Sequence, residues 1–204
     1  MESKPGGGAT RGGTSSERVE LFTASDVARF CQVDLKTIHN WADKGEIRHF
    51  RTPGRHLRFR RLDVLDFLRK YGYAIPEMLR RTKPRIVVVD GDAASLAAMK
   101  RMLAKRFEVT TFVDPLDALV SMAGLQPDAM VMDVEHASIP GFDGLRFLAR
   151  LHALEATAHI RVVVFTRREE MRERALAAGA VELVAKDDPT RLREVLETLM
   201  GIDH

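Results

Sequence analysis

Four polar side chains follow apolar segments in the C-terminal part of the chain, each at or near the end of its segment. Asp90, Asp133, Thr166 and Lys186 supply two carboxylates, a hydroxyl and an ammonium group. A carboxylate can attack phosphorus, and a divalent cation held by carboxylates offsets the charge on phosphoryl oxygens. A hydroxyl and an ammonium group can bind those oxygens. If the segments are parallel strands of one sheet, the four groups converge on a site that accepts a phosphoryl group.

The elements that must position these groups alternate regularly from residue 85 onward. Apolar runs typical of buried parallel strands fall at 85–90, 109–113, 128–133, 160–165 and 181–185. Amphipathic segments that predict helices lie between and after them, at 94–105, 115–123, 144–154, 172–178 and 191–200. This alternation predicts an α/β fold, a doubly wound (βα)5 sheet over residues 85–204.

The C-terminal part resembles the receiver domain of two-component response regulators. The matching stretches are Val88-Val89-Asp90, Met132-Asp133, Pro140-Gly141-Phe142-Asp143-Gly144, Phe165-Thr166, and Ala178-Gly179-Ala180 followed by Lys186. The resemblance implies that Asp133 is the phosphoacceptor, Thr166 the switch hydroxyl and Lys186 the phosphate-binding lysine. It also implies a Mg²⁺ ion held by Asp90 and Asp133, and a histidine kinase or another protein that docks on the domain.

Departures from the receiver pattern leave two interpretations open. Gly91 stands where the family usually has a second acid, which weakens the Mg²⁺ site, and the loop over residues 133–140 is longer than usual. Leu183 occupies the aromatic switch position, and Asp187 replaces the proline that usually follows the lysine. The domain therefore either accepts phosphoryl groups at Asp133 or is a degenerate receiver that serves only dimerisation or docking.

A phosphatase is the enzymatic alternative for the same region. Asp90-Gly91-Asp92 after a strand is similar to the nucleophile motif of haloacid-dehalogenase-like phosphatases, and Thr166 and the run 186–188 can fill that family's other positions. The region is small for that fold, lacks an obvious cap and leaves Asp133 without a role. We therefore expect that the chain is not an enzyme.

The N-terminal part differs in charge and in pattern. Residues 1–84 contain 17 Lys/Arg against 10 Asp/Glu, a net +7, whereas residues 85–204 contain 15 against 19, a net −4. A polyanion is the natural partner of the basic part. Residues 1–18 lack periodicity and predict a disordered tail, and residues 73–84 are expected to be a linker. These boundaries leave residues 19–72 as the predicted DNA-binding module.

Two short helices joined by a tight turn are predicted at the start of this module. Thr23 can cap the first helix and Asp34 the second. Leu35, Ile38 and Trp41 recur at helical spacing on the second helix, so we expect them to face the core. The outer face carries polar side chains suited to the major groove, namely Lys36, Thr37, His39, Asn40 and Lys44.

An arginine-rich hairpin follows the second helix. Pro53-Gly54 marks a tight turn between two arms that alternate apolar and basic residues. Ile47, Leu57 and Phe59 are expected to face inward, and a helix near 62–70 to close the core. The outward set, which can reach phosphates or a minor groove, is Arg48, Arg51, Arg55, His56, Arg58 and Arg60.

Residues 20–72 resemble the MerR-like excisionase family of DNA-binding domains. The matching stretches are Thr23-Ala24-Ser25-Asp26-Val27-Ala28, Thr37-Ile38-His39-Asn40-Trp41 and Arg51-Thr52-Pro53-Gly54-Arg55-His56. The resemblance implies a winged helix-turn-helix, with the second helix in the major groove of double-stranded DNA and the hairpin as the wing. Position 55 is often glycine in that wing, so Arg55 is expected to alter the turn.

Together the two parts predict a cytoplasmic, nucleoid-associated transcriptional regulator. The longest apolar runs are far shorter than the ~20 residues of a membrane span, so no membrane partner is expected. A single small DNA-binding module binds weakly, and we expect the receiver-like domain to control self-association in a homo-oligomer. The alternative is an architectural or excisionase-like DNA-binding protein whose degenerate, phosphorylation-independent receiver serves only assembly.

Overall fold

The computed structural model of the chain describes residues 21–81, 83–135 and 141–202. The predicted tail over residues 1–18 and the first residue of the predicted motif at 140–144 lie outside the described residues. Within the described residues, none of the helices has the length and apolarity that crossing a bilayer requires.

The N-terminal module combines three helices with a small antiparallel sheet. Its elements are β1 (Leu21–Thr23), α1 (Ala24–Cys31), α2 (Leu35–Asp43), β2 (Phe50–Arg51), β3 (Leu57–Arg60) and α3 (Arg61–Lys70). The strand order is β1-β3-β2, so β3 is the central strand and pairs Phe59 with Phe22 and Arg58 with Phe50. The hairpin β2–β3 was predicted, whereas β1 was not.

Side-chain caps fix the two helices of the helix-turn-helix, as predicted. The Thr23 hydroxyl accepts a hydrogen bond from the Asp26 amide, and the Asp26 carboxylate accepts one from the Thr23 amide. The Asp34 carboxylate accepts from the Thr37 amide at 2.7 Å. Ile38 is fully buried, but Leu35 is 47% exposed, so its predicted core position is wrong. Leu35 is the first helical residue, and no preceding turn packs it against the core.

The C-terminal module is a five-stranded parallel sheet with helices on both faces. Its elements are β4 (Arg85–Val89), α5 (Ala93–Leu103), β5 (Glu108–Phe112), α6 (Pro115–Leu125), β6 (Ala129–Met132), α7 (Gly144–Ala153), β7 (Arg161–Thr166), α8 (Arg172–Ala177), β8 (Glu182–Ala185) and α9 (Pro189–Met200). The strand order is β5-β4-β6-β7-β8. Buried side chains of α5 and α9 cover one face, and those of α6, α7 and α8 cover the other. The predicted α/β doubly wound fold is confirmed.

The two modules share one hydrophobic core. The predicted linker over residues 73–84 contains α4 (Glu77–Arg81), whose Leu79 is fully buried. Arg61 of α3 donates two hydrogen bonds to the Leu79 carbonyl, at 3.1 and 2.6 Å. Buried side chains of the helix-turn-helix, such as Phe22 and Leu68, are continuous with the sheet face covered by α5 and α9. The helix-turn-helix is therefore packed against the sheet domain.

Candidate functional site

The sheet brings the predicted acceptor residues to one edge. Asp90, Asp133 and Lys186 directly follow β4, β6 and β8, and Thr166 is the last residue of β7. The Lys186 Nζ lies 2.8 Å from a carboxylate oxygen of Asp90 and 2.5 Å from one of Asp133. Thr166 is fully buried, its hydroxyl accepts from the Arg168 amide at 3.4 Å, and its main-chain carbonyl accepts from the Lys186 amide at 3.0 Å. These four residues form the acceptor pocket.

Asp90 is held by three donors within the acceptor pocket. One carboxylate oxygen accepts from the Asp92 amide at 2.9 Å, and the other accepts from the Ser95 hydroxyl at 2.7 Å and from Lys186. Burial raises the pKa of Asp90, but hydrogen bonds from Lys186, the Asp92 amide and Ser95 outweigh it and keep the pKa below its ordinary value. Asp90 is therefore ionised at neutral pH.

Lys186 is the cation of the acceptor pocket. Burial lowers the pKa of its ammonium group, but hydrogen bonds to Asp133 and Asp90 more than compensate, and the pKa lies above its ordinary value. An ammonium group between two carboxylates leaves the three groups with one net negative charge. A negatively charged phosphoryl donor therefore meets less repulsion at this pocket than it would at two carboxylates without the ammonium group.

The acceptor pocket meets the minimum requirement for Mg²⁺ and no more. Mg²⁺ commonly uses one or two carboxylates together with waters and phosphoryl oxygens, and Asp90 and Asp133 supply such a pair. The Asp92 carboxylate caps α5, with one oxygen accepting from the Ala94 amide at 2.9 Å. Over the part of the chain that the structure describes, no cluster of three or more His, Cys, Asp or Glu side chains could hold a metal ion.

Ser95 was not singled out from the sequence, and Gly144 entered there only as part of a stretch that matches the receiver pattern. Ser95 lies in the first turn of α5 and positions the Asp90 carboxylate; its spacing from Asp92 on a helix was the available signal. Gly144 begins α7 against the main chain of Val134, next to Asp133. A Cβ at Gly144 would stand 2.4 Å from the Val134 carbonyl oxygen. Glycine at this position therefore allows α7 to lie close to the main chain that follows Asp133.

The predicted DNA-recognition side chains lie largely in solvent. Those of α2 and the wing that are exposed are Lys36, Asn40, Lys44, Arg48, Arg51, Arg55 and His56. Thr37, His39 and Arg58 are half-buried. The Thr37 hydroxyl donates to Asp34 at 3.0 Å, and Arg58 donates to the Leu57 carbonyl at 2.9 Å, so both are partly committed within the module.

The wing is tied to the second helix by Arg51. Its guanidinium contacts the Asp43 carboxylate of α2 at 3.0 Å and the Arg55 carbonyl at 3.2 Å. The Arg55 amide donates to the Thr52 carbonyl at 2.7 Å, which closes the turn around Pro53 and Gly54. Arg55 itself has a φ of +61°, whereas Gly54 has no positive φ. The left-handed position that favours glycine is therefore occupied by arginine.

Arg60 does not lie with the exposed wing residues. Its guanidinium stacks 5.0 Å from the centroid of the Phe50 ring, and both side chains line a cleft between the base of the wing and the sheet domain. His159 lines the same cleft, where burial and the nearby Arg60 lower the pKa of its imidazole to about 4. Arg60 is therefore half-buried and faces the cleft toward the sheet domain, not outward as the alternation predicted.

The chain belongs to the response regulator receiver domain family, whose model matches residues 86–197. A second model, a helix-turn-helix domain, matches residues 21–72. The protein is thus a receiver domain with a helix-turn-helix domain before it.

Curated relatives match about half of this chain. The transcriptional regulatory protein PrrA of Mycobacterium tuberculosis is 35% identical over 106 residues, which cover 52% of this chain and 44% of that protein. A protein-glutamate methylesterase/protein-glutamine glutaminase of Anaeromyxobacter dehalogenans is 38% identical over 108 residues, covering 50% of this chain and 29% of that protein. The chain therefore spans less than half the length of these relatives.

Solved structures agree with the receiver fold. The response regulator DrrB of Thermotoga maritima superimposes with a TM-score of 0.52 at 22% identity, covering 59% of this chain and 54% of that chain. The chemotaxis protein CheY4 of Vibrio cholerae gives a TM-score of 0.52 at 20% identity, covering 58% of this chain and 99% of that chain. At these identities the likeness establishes the fold alone.

Proposed function

We propose that the chain is a DNA-binding transcriptional regulator whose receiver domain controls self-association through phosphorylation of Asp133. The observation that carries this proposal is the bridge from the Lys186 ammonium to Asp90 and Asp133, at the sheet edge where β7 ends in the buried Thr166. The bridge is in place although Gly91 has replaced the second acid. The similarity to PrrA, a transcriptional regulatory protein, supports the same assignment.

The chemistry that follows is transfer of a phosphoryl group to Asp133. A carboxylate oxygen of Asp133 forms the bond to phosphorus as the bond to the donor's leaving group breaks, and the leaving group departs with the electron pair. The Lys186 ammonium then pairs with phosphoryl oxygens, and the Thr166 hydroxyl donates to another. Mg²⁺, held by Asp90 and Asp133, would neutralise charge on the transferred group.

Self-association is the regulated step that the exposed DNA-binding side chains favour. Seven predicted side chains of α2 and the wing are exposed while the helix-turn-helix is packed against the receiver. The receiver therefore does not cover the DNA-binding surface. Phosphorylation does not need to expose that surface in order to regulate DNA binding. Joining two copies adds their phosphate contacts and raises the effective concentration of the second module.

An architectural role is the second candidate, and Leu183 favours it. Leu183 of β8 is 1% exposed and stands at the position where receivers usually carry a switch aromatic. Leucine has no ring that could move between buried and exposed positions after phosphorylation. In this alternative the receiver assembles the protein on DNA without being phosphorylated.

Intact mass separates the two candidates. The full chain is incubated with a small acyl phosphate and Mg²⁺, with Asp133→Asn as the matched control. A phosphoadduct on the wild type that is absent from the variant, together with a change in oligomeric state by sedimentation, supports the regulator. An unmodified wild type that forms the same oligomers with or without the donor contradicts phosphorylation control and supports the architectural role.

Genome-wide mapping of bound sites tests the DNA-binding half of the proposal. Few promoter-proximal sites support a transcriptional regulator, whereas broad coverage of the chromosome supports an architectural protein. A triple substitution of Lys36, Asn40 and Lys44 to alanine is the matched variant, because these side chains of α2 and its C-cap are exposed. If the triple variant gives an unchanged map, α2 is not the recognition helix.

A further inference from the structure

Two elements run from the acceptor pocket to the opposite end of the sheet domain. Strand β7 begins at Arg161 and ends at Thr166, and helix α9 begins three residues after Lys186 and ends at Met200. A strand of this length spans about 20 Å and a helix of this length about 18 Å. Each therefore has one end at the acceptor pocket and the other far from it.

The far ends of β7 and α9 are held together by Arg161. One nitrogen of its guanidinium donates to the Leu199 carbonyl of α9 at 2.5 Å. The other terminal nitrogen pairs with the Asp66 carboxylate of α3, in the helix-turn-helix. The Arg161 side chain is 13% exposed. A single planar group thus contacts three elements, and a charge-assisted pair of this kind is geometrically specific.

Arg69 of α3 makes a second contact with the end of α9. Its guanidinium donates to the Thr198 carbonyl at 3.4 Å. It also lies against Gly201, where a Cβ would stand 2.0 Å from a guanidinium nitrogen. The last carbonyls of a helix have no partner within the helix and carry its negative end, so they attract cations. Two arginines on different modules use these acceptors.

We infer that Arg161 couples the acceptor pocket to the helix-turn-helix as a positioning residue. A displacement of β7 or α9 at the pocket is carried along these elements to Arg161, and from there through Asp66 to α3. The inference rests on the proposed function only in taking the acceptor pocket as the input. It does not depend on DNA binding or on phosphorylation, because it describes how the two modules respond to each other.

Hydrogen exchange of the full chain tests the coupling. The pocket is perturbed by Asp133→Asn, and separately by Lys186→Met, which leaves two carboxylates without their cation. In a background with Arg161 intact, amides of α3 are expected to exchange at least about threefold faster with either substitution. In an Arg161→Gln background the same substitutions should still speed exchange at the start of α9, but the response of α3 should be much smaller, because only the Arg69 contact then joins α3 to the end of α9.

Two controls keep the result specific. Arg193→Gln, at an exposed arginine of α9, removes the same charge and should leave the response of α3 intact. Exchange in α5, which packs on the same face of the sheet, should be equal in Arg161→Gln and wild type if the fold is preserved. If exchange in α5 differs between the two proteins, Arg161→Lys replaces Arg161→Gln in the comparison, because lysine keeps the charge but not the planar guanidinium.

The outcomes decide between coupling and mere packing. A response of α3 that keeps its full size in the Arg161 variants overturns the inference. An α3 whose exchange does not change with either pocket substitution when Arg161 is present overturns it as well. Failure of the proposed function has a different signature, because absent phosphorylation appears in intact mass and absent DNA binding appears in a binding titration. Neither of those results changes the exchange of α3.

Discussion

Replacing Arg55 with glycine should stabilise the protein and weaken its binding to DNA. Arg55 holds a φ of +61° at the tip of the wing, and its side chain is exposed. A non-glycine residue in this conformation costs about 1–2 kcal/mol. Replacing arginine with glycine removes this cost. Glycine also has greater conformational freedom in the unfolded chain, which offsets about 0.5–1 kcal/mol of the stabilisation. The net expectation is a stabilisation of about 0.75 kcal/mol, within a range of about 0–1.5 kcal/mol, and the midpoint corresponds to roughly 1.5–3 °C in Tm for a chain of this size.

The effect on DNA binding has the opposite sign. If Arg55 contacts a phosphate, its loss lowers the slope of log K against log salt by about 1 and weakens binding to all sequences alike. Thermal denaturation and DNA titrations at several salt concentrations measure the two effects. Arg55→Ala removes the charge and keeps the strained backbone, whereas Arg55→Lys keeps both.

Arg55→Gly should therefore be more stable than Arg55→Ala and should share its salt slope. The account of the turn fails if Arg55→Gly is the less stable of the two. The account of the wing fails if neither variant changes the salt slope relative to wild type and Arg55→Lys.

Three further predictions concern stability. Thr23→Ala removes the cap of the first helix and should lower the free energy of unfolding by about 1 kcal/mol in urea. Gly144→Ala overlaps the Val134 main chain and should cost about 1–3 kcal/mol, whereas Gly124→Ala, where a Cβ meets nothing within 4 Å, should not destabilise. His159, with a pKa lowered to about 4, stays neutral in the fold while the unfolded chain takes up a proton, so wild-type stability should fall from about pH 6.5 toward pH 4. A His159→Gln variant should lose less over that range in pH-dependent melts, and parallel curves would rule out this role.

The acceptor pocket followed from the sequence because its determinants are local. Each parallel strand is a short apolar run, and the polar residue at or just after its end must lie at the carboxyl edge of the sheet. This reasoning placed Asp90, Asp133, Thr166 and Lys186 together. It did not find Ser95, whose contribution depends on the direction of one side chain from the first turn of α5.

The errors in the N-terminal module have equally physical causes. Helical periodicity assigned Leu35 to the core, but periodicity does not show that a helix begins at that residue. Strand β1 is three residues long, too short to display alternation. Alternation placed Arg60 among the outward-facing arginines of the wing. The sequence does not show that the sheet domain packs on that side, where Arg60 lines the cleft between the two modules.

The contacts between the two modules could not be predicted from the sequence. Arg161 and Asp66 are 95 residues apart, and charged residues of both signs are common on protein surfaces. No pattern distinguishes this pair from the solvent-exposed ones. The same holds for Arg69 and the Thr198 carbonyl, since the last carbonyls of every helix lack a partner inside the helix and can accept from many groups.

The shared core has a consequence for how such a protein can be recombined. Two recognisable families meet in this chain, yet Leu79 and Phe22 belong to the same continuous set of buried side chains as Leu192 and Val163. A cut between residues 72 and 84 would leave apolar surface bare on both fragments, which favours aggregation. Chimeras that exchange the helix-turn-helix for that of another regulator must therefore carry over α4 and a matching α9. The boundary between the two families in the sequence therefore does not coincide with a boundary in the packing.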